Sequence, residues 1–178
     1  MKALKFIGIG LLAVIAVLLI VALFVPKDFT YEKSITIYAP IDSVWEHTNS
    51  LAALDKWSPW NDHDPNMKKE MSGIDGTIGA KQSWVSDVEG VGTGNQVIKN
   101  IEKPTLFETE LNFLKPHESQ GNAYVKLRTV GTATNVTWGM TGKMPYPFNI
   151  MNLFMNMEKS MGKDWNNGLM KLKKLSEK

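Results

Sequence analysis

The chain has 178 residues, 20 Lys and Arg against 18 Asp and Glu, a formal net charge of +2 and no cysteine. The missing cysteines exclude disulfides, thiolate nucleophiles and Cys-ligated metals. The scattered, nearly balanced charge lacks the basic stripe with interleaved aromatics that marks a nucleic-acid binder.

Phe6 to Val25 is an uncharged apolar run, preceded by Lys2 and Lys5 and ended by Pro26, Lys27 and Asp28. Its length of about twenty residues suffices to cross a hydrocarbon core of about 30 Å as a helix. A cleaved signal peptide has a shorter apolar core and small residues at the cut, whereas this run exits through Leu23-Phe24-Val25-Pro26. The run reads as an uncleaved transmembrane tether over 1–28. The positive-inside rule keeps its N-terminus in the cytoplasm and puts residues 29–178 on the extracytoplasmic side. That remainder, about 150 residues, is the size of one domain.

Phe29 to Tyr38 alternates apolar and polar residues, the period of a half-buried strand. Ala39-Pro40 then opens a short amphipathic helix carrying Ile41, Val44, Trp45 and Thr48, reaching to about Ser50. A second helical stretch runs from Leu51 to Trp57 and is stopped by Trp57-Ser58-Pro59-Trp60, because the residue before proline avoids the helical region. From Met67 onward, glycine-punctuated runs rich in β-formers follow: Ala80–Ser86, Val91–Glu102, Thr105–Leu114, Ala123–Val130 and Asn135–Thr141. Such spacing predicts an antiparallel meander. Gly92-x-Gly94 sits in strand-like text with no helix after it, so it marks a bulge or bend and not a dinucleotide loop.

The last element is a predicted helix over Phe148 to Leu175, its stripe formed by Ile150, Phe154, Met157, Met161, Trp165, Leu169 and Leu172. Gly162 and Gly168 inside it point to close packing or a bend. Lys171, Lys173, Lys174 and Lys178 end it, where lysine favours the helix dipole.

The fold expected is α+β: a curved antiparallel sheet of about six to seven strands wrapped on one long C-terminal helix, with one transmembrane helix in front. Ala39-Pro40 with Val44-Trp45, Trp57-Ser58-Pro59-Trp60, Asp64-Pro65-Asn66-Met67, Gly73 with Gly79-Ala80 and Ser83-Trp84, Thr137-Trp138, and Gly162, Asp164, Gly168-Leu169 and Leu172-Lys173 follow in that order. This order resembles the START/polyketide-cyclase-like (SRPBCC) superfamily and its helix-grip fold, and the N-terminal anchor looks like a membrane-anchored bacterial subgroup of it. The resemblance covers Phe29 to the C-terminus. It implies a hydrophobic cavity for lipids, sterols, polyketides or other apolar ligands, but no single activity and no catalytic residue or cofactor.

The candidate cavity wall is Trp84, Phe107, Leu111, Phe113, Trp138, Met140, Phe154, Met157, Met161 and Trp165, in which Phe107, Leu111 and Phe113 share strand parity, as do Trp138 and Met140. Trp57 and Trp60 either gate the cavity mouth or cap the sheet. Asp62-His63-Asp64-Pro65-Asn66 has calcium-loop flavour but places Met67 and Gly73 where such a loop needs Gly and Glu, so a turn explains it better. His47, His63 and His117 have no metal-ligand spacing. Glu108 and Glu110 share one strand face, read as the solvated one, and Asp164 reads as an exposed helix residue. Together these point to a membrane-tethered domain that binds or transports a hydrophobic small molecule or lipid without catalysis. The alternatives are a polyketide-cyclase-like enzyme and an envelope interaction module with a filled core.

Overall fold

The computed structural model describes residues 2–178; Met1, the first residue of the expected tether, lies outside them. The chain forms two compact units, one of residues 30–141 and 157–178, the other of residues 1–29 and 142–156.

The larger unit is built on a seven-stranded antiparallel sheet in the order β1-β7-β6-β5-β4-β3-β2. Its strands are β1 (Asp28–Ile37), β2 (Lys68–Ser72), β3 (Lys81–Val85), β4 (Thr93–Glu102), β5 (Leu106–Lys115), β6 (Ser119–Val130) and β7 (Ala133–Lys143). β2 to β7 form a meander, and β1 closes the far edge against β7. Three short helices, α2 (Ile41–Trp45), α3 (Leu51–Asp55) and α4 (Trp60–His63), link β1 to β2, and α5 (Met157–Ser176) ends the chain. This is the expected helix-grip arrangement.

Local chemistry explains the elements. Ser50 caps α3 by accepting from the Ala53 N–H at 3.1 Å. The Asp75 carboxylate accepts from the Leu51 and Ala52 N–H groups at 2.9 and 3.0 Å, so the free donors at that helix start are satisfied. On β5 the alternation sends Phe107, Thr109, Leu111 and Phe113 inward and Glu108 and Glu110 to the other face, where Glu110 pairs with Lys99 at 3.2 Å. Glycine is required at position 94: a β-carbon there would sit 2.6 Å from Trp84 Cζ2, because the Trp84 ring crosses β4 to meet Phe113 edge-on. A register shift between Thr93 and Gly94 fits the bulge or bend expected there.

One end of the sheet's inner face is filled. Ile37, Val44, Trp45, Leu51, Trp57, Ile98, Phe107, Val125, Leu127 and Val136 pack there with Leu169 and Leu172 of α5 into one buried cluster. Each such side chain contributes about 1.5–3 kcal/mol by burial.

The other unit holds α1 (Lys2–Phe24) and a 3-10 turn, Phe148–Leu153. Its Phe6–Phe24 stretch has mean hydropathy 3.2, with only 6% of that stretch buried, which makes it long and apolar enough to cross a membrane.

Three expectations need correction. The C-terminal helix starts at Met157, not Phe148. The stripe continues through Ile150 and Phe154, but Asn149 is buried with its side chain bonded to the carbonyls of Ala22 and Val25, which holds this stretch in a separate turn. The first two helices are shorter than read, ending at Trp45 and Asp55, and a further turn, α4, follows Pro59. β2 went unread because its five residues, Lys-Lys-Glu-Met-Ser, are all exposed and show no alternation.

Candidate functional site

Beyond the filled end, the inner face of the larger unit encloses a cavity of about 430 Å³. The sheet supplies its wall through β3 to β7, α3 and α4 bound one side, and the first turns of α5 close over it through Ser160, Met161, Asp164 and Trp165.

Trp57, Trp60, Trp84, Phe107, Leu111, Phe113, Trp138, Met140, Met161 and Trp165 all line this space. Two of the expected wall residues do not. Phe154 belongs to the other unit and is 79% exposed, and Met157, the first residue of α5, is not among the lining residues. Phe154 falls outside because α5 starts at Met157, nine residues after the expected helix start.

Four tryptophans of the cavity wall pack against one another. Trp138 and Trp165 stack at 4.5 Å, Trp57 meets Trp138 edge-on at 4.9 Å, and Trp60 meets Trp165 edge-on at 5.5 Å. Their polar handles are used: the Trp57 indole N–H donates to the His47 carbonyl at 2.9 Å and that of Trp165 to the Trp138 carbonyl at 3.2 Å. Trp57 is buried, 1% exposed, and Trp60 is half-buried. Edge-on and offset rings are the favoured arrangement and make this cluster rigid.

Part of the wall is polar, which sequence reasoning missed. Asp55 of α3 accepts from Lys69 Nζ at 2.6 Å and from Gln82 Nε2 at 2.7 Å, and Gln82 Oε1 accepts from Gln96 Nε2 at 3.0 Å. Lys69 also donates to Asn61 Oδ1 at 2.5 Å. Asp55, Lys69, Gln82 and Gln96 come from four elements, so no local spacing joins them. The one available signal was Gln82, which shares strand parity with Trp84.

At the rim, His63 Nε2 lies 3.0 Å from Asp164 Oδ1, and both residues line the cavity. Asp164, read as exposed, has a side chain only 27% exposed. Asp62 and His63 end α4, and the turn expected there is confined to the residues after them, where the Asn66 N–H donates to Asp64 Oδ1 at 2.9 Å and Asp64 Oδ2 accepts from the Ser86 hydroxyl at 2.5 Å. No cluster of three or more His, Asp or Glu side chains able to hold a metal lies among the described residues.

Behind the tryptophans, Tyr31 touches Trp165 edge-on at 5.4 Å and donates to Glu158 at 2.7 Å. Burial, reinforced by the Glu158 carboxylate, pushes the Tyr31 hydroxyl up to about 12. The Lys33 ammonium, followed by the Tyr31 hydroxyl, holds the Glu158 carboxyl below its ordinary value. The geometry as a whole can accept an apolar body between the aromatic and Met surfaces and a hydrogen-bonding group at the polar wall.

A family described as "Polyketide cyclase / dehydrase and lipid transport" matches residues 28–177. No curated protein matches the chain. Among solved structures, the Mll3558 protein from Rhizobium loti is 17% identical with a TM-score of 0.60, over 83% of this chain and 96% of that one. The ginseng major latex-like protein 151 from Panax ginseng is 12% identical with a TM-score of 0.57, over 84% and 97%. The Aha1 dimer from Colwellia psychrerythraea is 15% identical with a TM-score of 0.56, over 84% and 96%. At these identities the structural likeness speaks to the fold alone.

Proposed function

The chain belongs to the Polyketide cyclase / dehydrase and lipid transport family, and from that premise we propose that it is a membrane-tethered protein that binds or transports a hydrophobic small molecule or lipid without altering it. The observation that carries this reading is the cavity: about 430 Å³, walled by Trp, Phe, Leu and Met with one polar strip. That volume falls in the range of small-molecule sites. A filled-core interaction module would have no reason to keep such a space open, since unfilled interior volume costs stability.

The wall's composition suits an amphipathic guest. Flexible Met140 and Met161 adapt to variable apolar shapes, and the Asp55–Gln82–Gln96 chain offers hydrogen bonding for a polar end. The non-catalytic part of the reading is supported by the commitment of Asp55, one of the wall's carboxylates, held by Lys69 on one oxygen and Gln82 on the other. The tether part rests on the apolar Phe6–Phe24 stretch of α1, with Lys2 and Lys5 ahead of that stretch favouring a cytoplasmic N-terminus and an extracytoplasmic domain.

All six tryptophans lie outside α1, so their emission reports on the domain and not on the tether. The full chain in lipid nanodiscs is titrated with a brominated fatty acid. Saturable quenching, lost when Ala123→Phe fills the cavity, is the expected result. Quenching that does not saturate, or that survives Ala123→Phe, defeats the carrier reading.

The His63–Asp164 pair favours a second reading, a cyclase-like enzyme, because a histidine oriented by a carboxylate beside an apolar cavity can move a proton. Mass analysis of a polyketide-like guest recovered after incubation separates the two: an unchanged mass supports the carrier, and a product that disappears in His63→Gln supports the enzyme.

A further inference from the structure

Residues 144–156 contain no charged side chain, yet the stretch exposes large apolar groups: Phe148, Met151, Leu153 and, at 79%, Phe154. A water-facing surface does not ordinarily gather so many. This segment belongs to the same compact unit as α1, whose own last turn exposes Leu23 and Phe24.

The polar side of the segment explains what it does. In a helix the Ala22 carbonyl takes its hydrogen bond from the N–H four residues on, but that residue is Pro26, which has none. Asn149 supplies the missing donor: its Nδ2 donates to the carbonyls of Ala22 and Val25, both at 2.7 Å. Asn152 Nδ2 donates to the Pro26 carbonyl at 3.0 Å, and the Met144 N–H to that of Lys27 at 2.8 Å. Water would satisfy these carbonyls at no structural cost if the helix end stood in water. Protein donors are needed where water is scarce, because an unpaired backbone group in hydrocarbon costs several kcal/mol.

Resting on the reading of α1 as a membrane span, we propose that residues 146–155 are an interfacial foot: the turn lies in the headgroup–acyl boundary of the leaflet from which α1 emerges, its Phe and Leu side chains in lipid and its Asn side chains turned to the helix end. Its occupant is the bilayer, whose contact surface runs on from Leu23 and Phe24. An apolar face beside a helix exit is the form that interfacial anchors take.

The chain's lack of cysteine allows single-thiol spin labels in the full-length protein, reconstituted in phosphatidylcholine vesicles. Labels go on Phe154→Cys in the foot, Leu18→Cys in α1 and Asp87→Cys as the aqueous reference; near-UV dichroism of the tryptophans checks the fold of each variant. Collision with oxygen, which concentrates in lipid, is compared with collision with a water-soluble nickel chelate. The expected result is that Phe154 follows Leu18, with nickel access several-fold below that of Asp87. If Phe154 follows Asp87 while Leu18 stays in lipid, the foot is overturned and the tether stands. If Leu18 also follows Asp87, both fall. Low access of both reagents to Phe154 means that a protein covers it, which overturns the lipid assignment as well.

Discussion

Trp138 of β7 and Trp165 of α5 lie face to face, with ring centroids 4.5 Å apart and planes 18° apart. The stack fixes the helix to the sheet at the point where the filled core gives way to the cavity. Gly168, one turn further along α5, makes the approach possible: a β-carbon there would meet Trp138 Cζ3 at 2.7 Å and Pro59 Cδ at 3.3 Å. Gly168→Ala therefore adds a methyl group against a ring that is already clamped. Overpacking costs about 1–3 kcal/mol against about 1 kcal/mol regained in helix propensity, so a net loss of up to about 2 kcal/mol is expected by thermal unfolding.

Gly162→Ala is the informative contrast. Its nearest neighbour would be the Glu158 carboxylate at 2.6 Å, the far end of a side chain that is 62% exposed and can swing aside. The helix-propensity gain is then opposed by loss of the Lys33–Glu158 ion pair and the Tyr31–Glu158 hydrogen bond, so stability should fall less than in Gly168→Ala. A melting temperature that falls as far as in Gly168→Ala would contradict this account of the two glycines.

The two ends of the inner face should respond differently to truncation. Leu172 is fully buried in the packed cluster, so Leu172→Ala should cost about 2–5 kcal/mol. Leu111 already borders empty space, so Leu111→Ala removes fewer contacts and should cost less than about 2 kcal/mol, near the low end for such truncations. Denaturant titration followed by tryptophan emission gives both values. Equal losses would mean that the cavity is occupied or collapsed in the folded protein.

Most of this architecture could be read from the chain because its signals are local. The alternation around Phe107, Leu111 and Phe113, the proline breaks at Pro40 and Pro59 and the apolar run before Pro26 each need only a few neighbouring residues. What escaped reading was made by distance. The Asp55–Lys69–Gln82–Gln96 wall joins residues from four elements. The side-chain bonds of Asn149 to residues more than 120 positions earlier override a helical stripe that is otherwise continuous through Phe154. The edge strand Lys68–Ser72 forms because β3 offers it a partner, not because its own pattern is β-like.

Two tyrosines should make the fold sensitive to alkali. Burial, followed by a carboxylate acceptor, raises both Tyr31 and Tyr124 to about 12, the partners being Glu158 and Glu32. A hydroxyl raised in the folded state favours folding fully below its unfolded value near 10, and that contribution disappears as pH climbs towards 12. Melting temperature should therefore drop between pH 10 and 12, and less steeply in Tyr31→Phe and Tyr124→Phe, which have nothing to ionise. Parallel curves for the wild type and both variants would remove the tyrosines from the explanation.

Asn149→Leu tests how the end of α1 is closed, independently of any membrane. The change keeps the side chain's approximate bulk but deletes both donors, leaving the Ala22 and Val25 carbonyls without their 2.7 Å partners. Each buried acceptor left unpaired costs about 1–3 kcal/mol. The loss falls on the smaller unit, so hydrogen exchange is the suitable measurement. Amides of the Phe148–Leu153 turn should exchange faster, while those of β4 and β5, whose ladder does not depend on this contact, keep their wild-type rates. Asn149→Asp should open the turn further, because it sets a carboxylate against two carbonyl oxygens. If both variants protect the turn as well as the wild type does, the asparagine is not what holds it to the helix.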